Sequence, residues 1–156
     1  MGKYQEINGD LLQLAKEGVF DVIAHGANCK QVMGSGIALQ IKKQFPEVYK
    51  EDYLDRRTST QRWGDYTAFT YANDKKLLHV FNLYTQYNPG PDLDYTALEL
   101  SLKKLAKNIK PNSKIGLPQI GCGIGGGNWL KVKEIIQRVL SEYDVTVVIY
   151  NPEEGF

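Results

Sequence analysis

The chain is poor in the residues that most often carry chemistry. It has two histidines, two cysteines and two methionines in 156 residues. Cys29 and Cys122 are far apart and neither lies in a Cys-x-x-Cys pair, so a zinc site has too few ligands to draw on. Two lone thiols suit a reducing compartment. There is no apolar run of the roughly 18 residues that a membrane helix needs, and MGKYQEINGD carries no apolar targeting segment. Neither sign of charge dominates: the net charge is +1, which leaves no strong electrostatic case for a nucleic acid or a membrane surface. These absences predict a cytoplasmic, monomeric protein without metal or cofactor. With 42% hydrophobic and 24% charged residues, residues 1–156 read as one globular domain.

Glycine, by contrast, is abundant, and its distribution is informative. LPQIGCGIGGGNW (117–129) places Gly121, Gly123, Gly125, Gly126 and Gly127 between a predicted strand, Ser113–Leu117, and a predicted helix opening near Asn128. Glycine admits positive φ and close approach of backbone to a ligand. A glycine turn leading into a helix can aim unpaired N–H groups and a positive dipole end at an anion. A second cluster, Met33-Gly34-Ser35-Gly36, precedes a helix whose apolar residues Ile37, Ile41 and Phe45 repeat at four-residue spacing. A plain left-handed turn would explain the second cluster alone equally well. The pair of them, both after strands, predicts a clamp around a diphosphate.

Strands are predicted at Lys3–Ile7, Phe20–His25, Asp65–Tyr71, Lys76–Tyr84, Ser113–Leu117 and Val145–Tyr150. FDVIAH and VTVVIY are nearly continuous apolar runs, as in strands covered on both faces. Helical stripes alternate with them: Leu98, Leu102, Leu105 and Ile109, then Val132, Ile135, Ile136, Val139 and Leu140. Asp10 and Gln13 form a capping-box pattern before LLQLAKEG. The alternation predicts a three-layer α/β/α sandwich on a mixed, largely parallel sheet of six or more strands, with ligands at the carboxyl ends of the strands.

Gly121, Gly123 and Gly126 satisfy G-x-G-x-x-G, but a dinucleotide-binding unit would need several more strand–helix units after them. Asn28, in HGANC, can donate to and accept from a sugar hydroxyl, or simply hold a turn. Asp10 is explained by helix capping and could also face a ligand. His25 ends a buried strand beside the predicted ligand edge, as a core histidine or as an acid–base group. It is also the only base available to a cysteine nucleophile, although small buried thiols are the commoner role of cysteine. His79 reads as structural. Tyr150 and Asn151 end the last strand, where an aromatic could stack on a purine or cap the core. The charged stretch 49–64 reads as a solvated helix end and loop.

INGDLL, VIAHGANCKQVMGSGIALQIKKQFP, VFNLYTQ, LPQIGCGIGGGNW and a terminal TVVIY, in that order, resemble the macro domain family. The resemblance implies an ADP-ribose cleft over a mixed sheet flanked by helices. It implies Asp10 at the adenine amino group with Gly9 and Leu11 beside it, Asn28 at the distal ribose, and Met33, Gly34, Ser35, Gly36 and Ile37 along one wall. Leu83 and Thr85 would reach the cleft from VFNLYTQ. Pro118, Gln119, Gly121, Cys122, Gly123, Ile124, Gly125 and Gly126 would wrap the diphosphate, and Tyr150 and Asn151 would border the adenine.

Within the family the chain looks most like the ADP-ribose 1″-phosphate phosphatases and the terminal ADP-ribose protein glycohydrolases. The second branch uses a lysine and an aspartate at places that here hold Tyr84 or Thr85 and Gly125. The broader de-ADP-ribosylating branch uses an aspartate in the first loop, and HGANCKQVMGSG has none. A histidine ending the second strand is implicated in the phosphatase branch, and His25 matches it. The expectation is therefore hydrolysis of ADP-ribose 1″-phosphate to ADP-ribose and phosphate, with His25 and Asn28 as catalytic residues. The alternatives are a reader of free or protein-linked ADP-ribose, and a hydrolase removing ADP-ribose from protein or nucleic acid.

Overall fold

The computed structural model describes residues 2–73 and 76–150. Among these, six strands form one sheet: β1 (Tyr4–Asn8), β2 (Val22–Asn28), β3 (Tyr66–Ala72), β4 (Leu77–Gln86), β5 (Lys114–Leu117) and β6 (Asp144–Ile149). The order is β1-β6-β5-β2-β4-β3. All pairings are parallel except β3–β4, which closes one edge as an antiparallel pair. The layered α/β architecture on a mixed, largely parallel sheet and all six strands predicted from the sequence are thus present, with shifts of a few residues at the ends.

Six helices complete the described chain: α1 (Leu11–Lys16), α2 (Gly36–Gln44), α3 (Pro46–Tyr53), α4 (Ser59–Arg62), α5 (Tyr95–Lys107) and α6 (Trp129–Val139). The apolar stripes predict which face each buries. Leu98, Leu102 and Leu105 of α5 and Val132, Ile135 and Ile136 of α6 pack on one side of the sheet, against Ala24, Phe81, Ile115 and Val147. Leu12 of α1, Ile41 of α2 and Val48 of α3 pack on the other, against Ile23, Val80 and Val148. Alternate residues of one strand therefore feed opposite cores, as the two-residue period of a strand requires. Gly116 is needed by this packing, because a Cβ there would lie 2.6 Å from the Phe20 ring.

Two local expectations need correction. Asp10 caps α1 alone, accepting from Leu12 and Gln13 amides, while the Gln13 side chain turns to Glu17 instead of returning to the cap. The reciprocal capping box forms at α4, between Thr58 and Gln61. The charged stretch 49–64 is not simply a solvated end: Asp52 and Arg62 are among the most buried polar residues of the chain.

Candidate functional site

A cleft of about 580 Å³ opens at the carboxyl ends of the parallel strands, a size ordinary for a small-molecule site. Its floor follows the sheet order. Gly9, Leu11, Val148 and Tyr150 stand at the β1/β6 end, Pro118 to Gly121 follow β5, and Gly26 to Asn28 with Gln86 lie at the β2/β4 end. The topology thus makes an apolar end, a glycine-lined middle and an amide-bearing end in one line.

Two walls face each other across the middle. One is the start of α2: its cap residue, Ser35, makes no side-chain capping bond, so the first-turn amides of Gly36, Ile37 and Ala38 meet no side-chain acceptor from it. The other is the loop after β5. Among the described residues, the amides of Gly121, Gly123, Ile124 and Gly125 donate to no protein acceptor. The walls meet where a Cβ on Gly36 (φ +59°) would lie 3.8 Å from Ile124 Cδ1. Exposed N–H groups on both sides, one set at a helix start, suit an anion bound between them.

This arrangement corrects the expected source of the amides on the second wall. The N-terminus of α6 does not point at the cleft: Asn128 caps it by accepting from Lys131 N, and the cleft lining stops at Gly125. The glycines here serve packing. Gly121 (φ +70°) and Gly127 each lie where a Cβ would strike Leu93, at 2.6 and 2.2 Å, and a Cβ on Gly125 would lie 2.6 Å from Gly121 O. Leu93 N also donates to Gly125 O. The loop before α5 thus locks the glycine loop in place. Gly127→Ala should lower unfolding free energy by about 1–3 kcal/mol through overpacking, measured by denaturant melting. An unchanged midpoint would contradict the interlock.

Most of the residues predicted for the site line the cleft: Gly9, Leu11, Asn28, Gly34 to Ile37, Pro118, Gln119, Gly121, Gly123 to Gly125, and Tyr150. Asp10, between the lining residues Gly9 and Leu11, is not itself in the lining and caps α1. Asn151 lies outside the described residues. Five residues are placed elsewhere. Met33, Leu83 and Thr85 are buried in the protein interior. Cys122 packs against the α5/α6 core, its thiol donating to Ile120 O. Gly126 faces Pro91. On β4 it is Gln86, not Leu83 or Thr85, that reaches the cleft, with its amide donating to Asn88 and Gly90 carbonyls.

His25 is the largest correction. Its ring is fully buried and absent from the cleft lining. It points from β2 toward the α3 side, where Nε2 donates to Asn82 Oδ1 at 2.6 Å. Asn82 donates to Val48 O and Thr67 Oγ1, the Thr67 hydroxyl meets Tyr84 OH, and Tyr84 donates to Asp52 Oδ1 at 2.6 Å. Burial holds the imidazole pKa down to about 4, so the ring is neutral near pH 7. Burial pushes the Cys29 thiol up to about 11 and raises that of Cys122, so neither is a ready thiolate. Among the described residues, the cleft lining contains no Asp, Glu, Lys, Arg, His or Cys. The polar groups that the described lining does offer are backbone amides and the neutral side chains of Asn28, Ser35, Gln40, Gln86, Gln119 and Tyr150.

The family profile described as "Macro domain" matches residues 24–136, more than half of the chain and both walls of the cleft. The chain belongs to the macro domain family. The macro domain is 42% identical to an ADP-ribose 1″-phosphate phosphatase of the yeast Meyerozyma guilliermondii, over 96% of this chain and 99% of that protein. It is 39% identical to an uncharacterized 17.5 kDa protein of Enterobacteria phage T4, over 94% of this chain and 96% of that one. Among solved structures it resembles the macrodomain of Mycobacterium tuberculosis DarG, with a TM-score of 0.74 and 25% identity, covering 97% and 99% of the two chains.

Sequence reasoning missed part of this macro domain's cleft. Gly26, Ala27 and Val32 beside Asn28, and Ala38 to Gln40 on α2, line it too, as do Pro89, Gly90, Ile120 and Val148. The apolar ones look like core residues in a sequence. The only signal was position: each lies within a few residues of a strand end or of a glycine cluster.

Proposed function

We propose that this macro domain binds ADP-ribose in the cleft and hydrolyses ADP-ribose 1″-phosphate to ADP-ribose and phosphate. The observation that carries the reading is the pair of facing amide sets, at the start of α2 and at Gly121 to Gly125, with no carboxylate among the described residues of the lining. In this reading the diphosphate lies between the walls. The adenine takes the apolar end at Leu11, Val148 and Tyr150, beside the start of α1 that Asp10 caps. The distal ribose lies over Asn28 and Gln86. The 42% identical phosphatase supports the substrate.

His25, buried on the interior strand β2 and outside the cleft lining, has no part in the chemistry. Water adds to phosphorus of the 1″-phosphate and the bond from phosphorus to the ribose oxygen breaks. A non-bridging phosphate oxygen relays the proton from the water to the departing ribose oxygen. The loop amides stabilise charge that grows on the phosphoryl oxygens, and Asn28 orients the ribose. With no charged acid or base among the described residues of the lining, the enzyme is slow. Phosphorus NMR of ADP-ribose 1″-phosphate with the protein should show inorganic phosphate appearing, and Asn28→Ala should slow it by about tenfold. No release above the buffer rate would refute the phosphatase reading.

The uncharged lining also favours a second reading, a reader that holds ADP-ribose without turnover. Tight ADP-ribose binding without phosphate release would select it.

A further inference from the structure

The amides and neutral side chains of the cleft leave one buried cation unexplained. Arg62, 5% exposed, lies behind the cleft at the end of α4. Its Nε and Nη2 both donate to Cys29 O, at 3.1 and 2.9 Å, and Nη1 meets Asp55 Oδ2 at 3.3 Å and the Arg57 carbonyl. The Ser59 hydroxyl donates to the same Cys29 oxygen at 3.1 Å. Cys29 N, on the other side of that residue, donates to Gln86 O at 2.9 Å. Both backbone groups of Cys29 are thereby fixed, one to the end of β4 and one to a buried guanidinium.

Cys29 directly follows Asn28. The Asn28 amide in turn holds the loop that leads to the α2 wall, donating to Val32 O at 2.7 Å and accepting from Lys30 N and Val32 N. A second clasp comes from Gln31, held at φ +62°, whose side chain donates to Asp52 O at 2.6 Å and Asp55 O at 2.9 Å. The anchor is itself braced: Asp55 pairs with Arg57, and Arg57 with Asp65 at 2.8 Å. A fork-shaped donor that meets one carbonyl twice restricts it far more than a single point charge can.

We propose that Arg62 is a positioning residue for the β2/β4 end of the cleft. Acting through the Cys29 carbonyl, it presets Asn28 and the start of the α2 wall, so that the distal ribose and its substituent meet an already ordered edge. The charged segment 52–65 is then the rear scaffold of the binding site. The proposal rests on the reading of the cleft given above, with adenine at the far, β1/β6 end, and preorganisation of this kind is expressed as affinity for the part of the ligand that uses it.

The test titrates wild-type protein, Arg62→Lys and Gln31→Ala with adenosine monophosphate and with ADP-ribose, by calorimetry or NMR shift. The lysine keeps the charge beside Asp55 and loses the fork. Arg62→Lys should bind ADP-ribose about tenfold more weakly and adenosine monophosphate within about twofold of wild type. Gln31→Ala should lose about threefold for ADP-ribose only. Wild-type affinity of Arg62→Lys for both ligands, or an equal loss for both, overturns the positioning role. Should Arg62→Lys not fold, Gln31→Ala carries the test: a loss confined to ADP-ribose supports the clasp, and no loss refutes it. Wild-type protein that binds ADP-ribose no better than adenosine monophosphate would sink the cleft reading itself, and the role of Arg62 with it.

Discussion

Gly123→Asp should weaken ADP-ribose binding by at least about a hundredfold while leaving the fold intact. Gly123 lines the middle of the cleft, and a Cβ built on it meets no atom within 4 Å. Its φ is not among the positive values, so a side chain brings no backbone strain. A carboxylate there faces the diphosphate across a few ångströms. At about 5 Å and an effective dielectric near 20, each like-charge pair costs about 3 kcal/mol, and about 2.7 kcal/mol is already a hundredfold. Gly123→Asn has the same size without the charge and should lose only about threefold. Thermal melting should place both variants close to wild type. If the aspartate variant binds as wild type does, the glycine loop is not the anion site.

The second large effect concerns His25, and it is one of stability. In the unfolded chain an imidazole titrates near its ordinary value of 6.5, whereas burial lowers the folded value to about 4. Between those values the unfolded state binds more protons than the folded one, so stability rises with pH in this window. The contribution is fully present above pH 6.5 and is lost as pH falls toward 4. It amounts to roughly 3 kcal/mol, because each tenfold difference in proton affinity between the two states is worth about 1.36 kcal/mol. Asp52, at the other end of the same hydrogen-bonded chain, has its pKa raised by burial, so its contribution has the opposite sign and is lost as pH rises from 3.8. Comparison with His25→Gln, which keeps a donor for Asn82 but no titration near neutral pH, cancels that contribution. Denaturant melts between pH 7 and 4 should show a slope in the wild type that is much reduced in the variant. ADP-ribose affinity of His25→Gln at pH 7.5 should stay within about twofold of wild type, because no part of the ring reaches the cleft. An equal slope in both proteins would remove His25 as its cause. Lost turnover in a fully folded variant would return the ring to the mechanism.

These outcomes trace to what the chain makes legible. Continuous apolar runs such as FDVIAH and VTVVIY can be satisfied only between two helical layers, so β2 and β6 and the sandwich around them follow directly. Glycine clusters after strands mark where backbone must come close to something, and both clusters do line the cleft. What sequence periodicity leaves open is parity at a strand end. His25 and Gly26 are neighbours, yet one faces Asn82 and α3 while the other floors the cleft. Leu83 and Thr85 against Gln86 is the same ambiguity, complicated by a register shift between Ala27 and Asn28 that alters how β2 meets β4.

Long-range partners are the other illegible element. KEDYLDRR and QRWGD read as solvent-facing because so many charges stand together, and the carbonyl that Arg62 grips lies 33 residues earlier in the chain. Likewise nothing near Gly127 announces Leu93. Met33, adjacent to a cleft glycine, went to the core because its apolar side chain finds Ile41 and Val48 on the same face of the sheet. Local pattern establishes which segments meet at the strand ends. Tertiary packing decides which side chain of each segment looks inward.

The most direct test is calorimetric titration of the unmodified protein with ADP-ribose, beside an equal titration of Gly123→Asp. The cleft described above predicts saturable one-to-one binding in the micromolar range or tighter for wild type, weakened at least about a hundredfold in the variant. Absence of binding to the wild type, or equal binding to both, would contradict the assignment of the two amide walls as the ADP-ribose site.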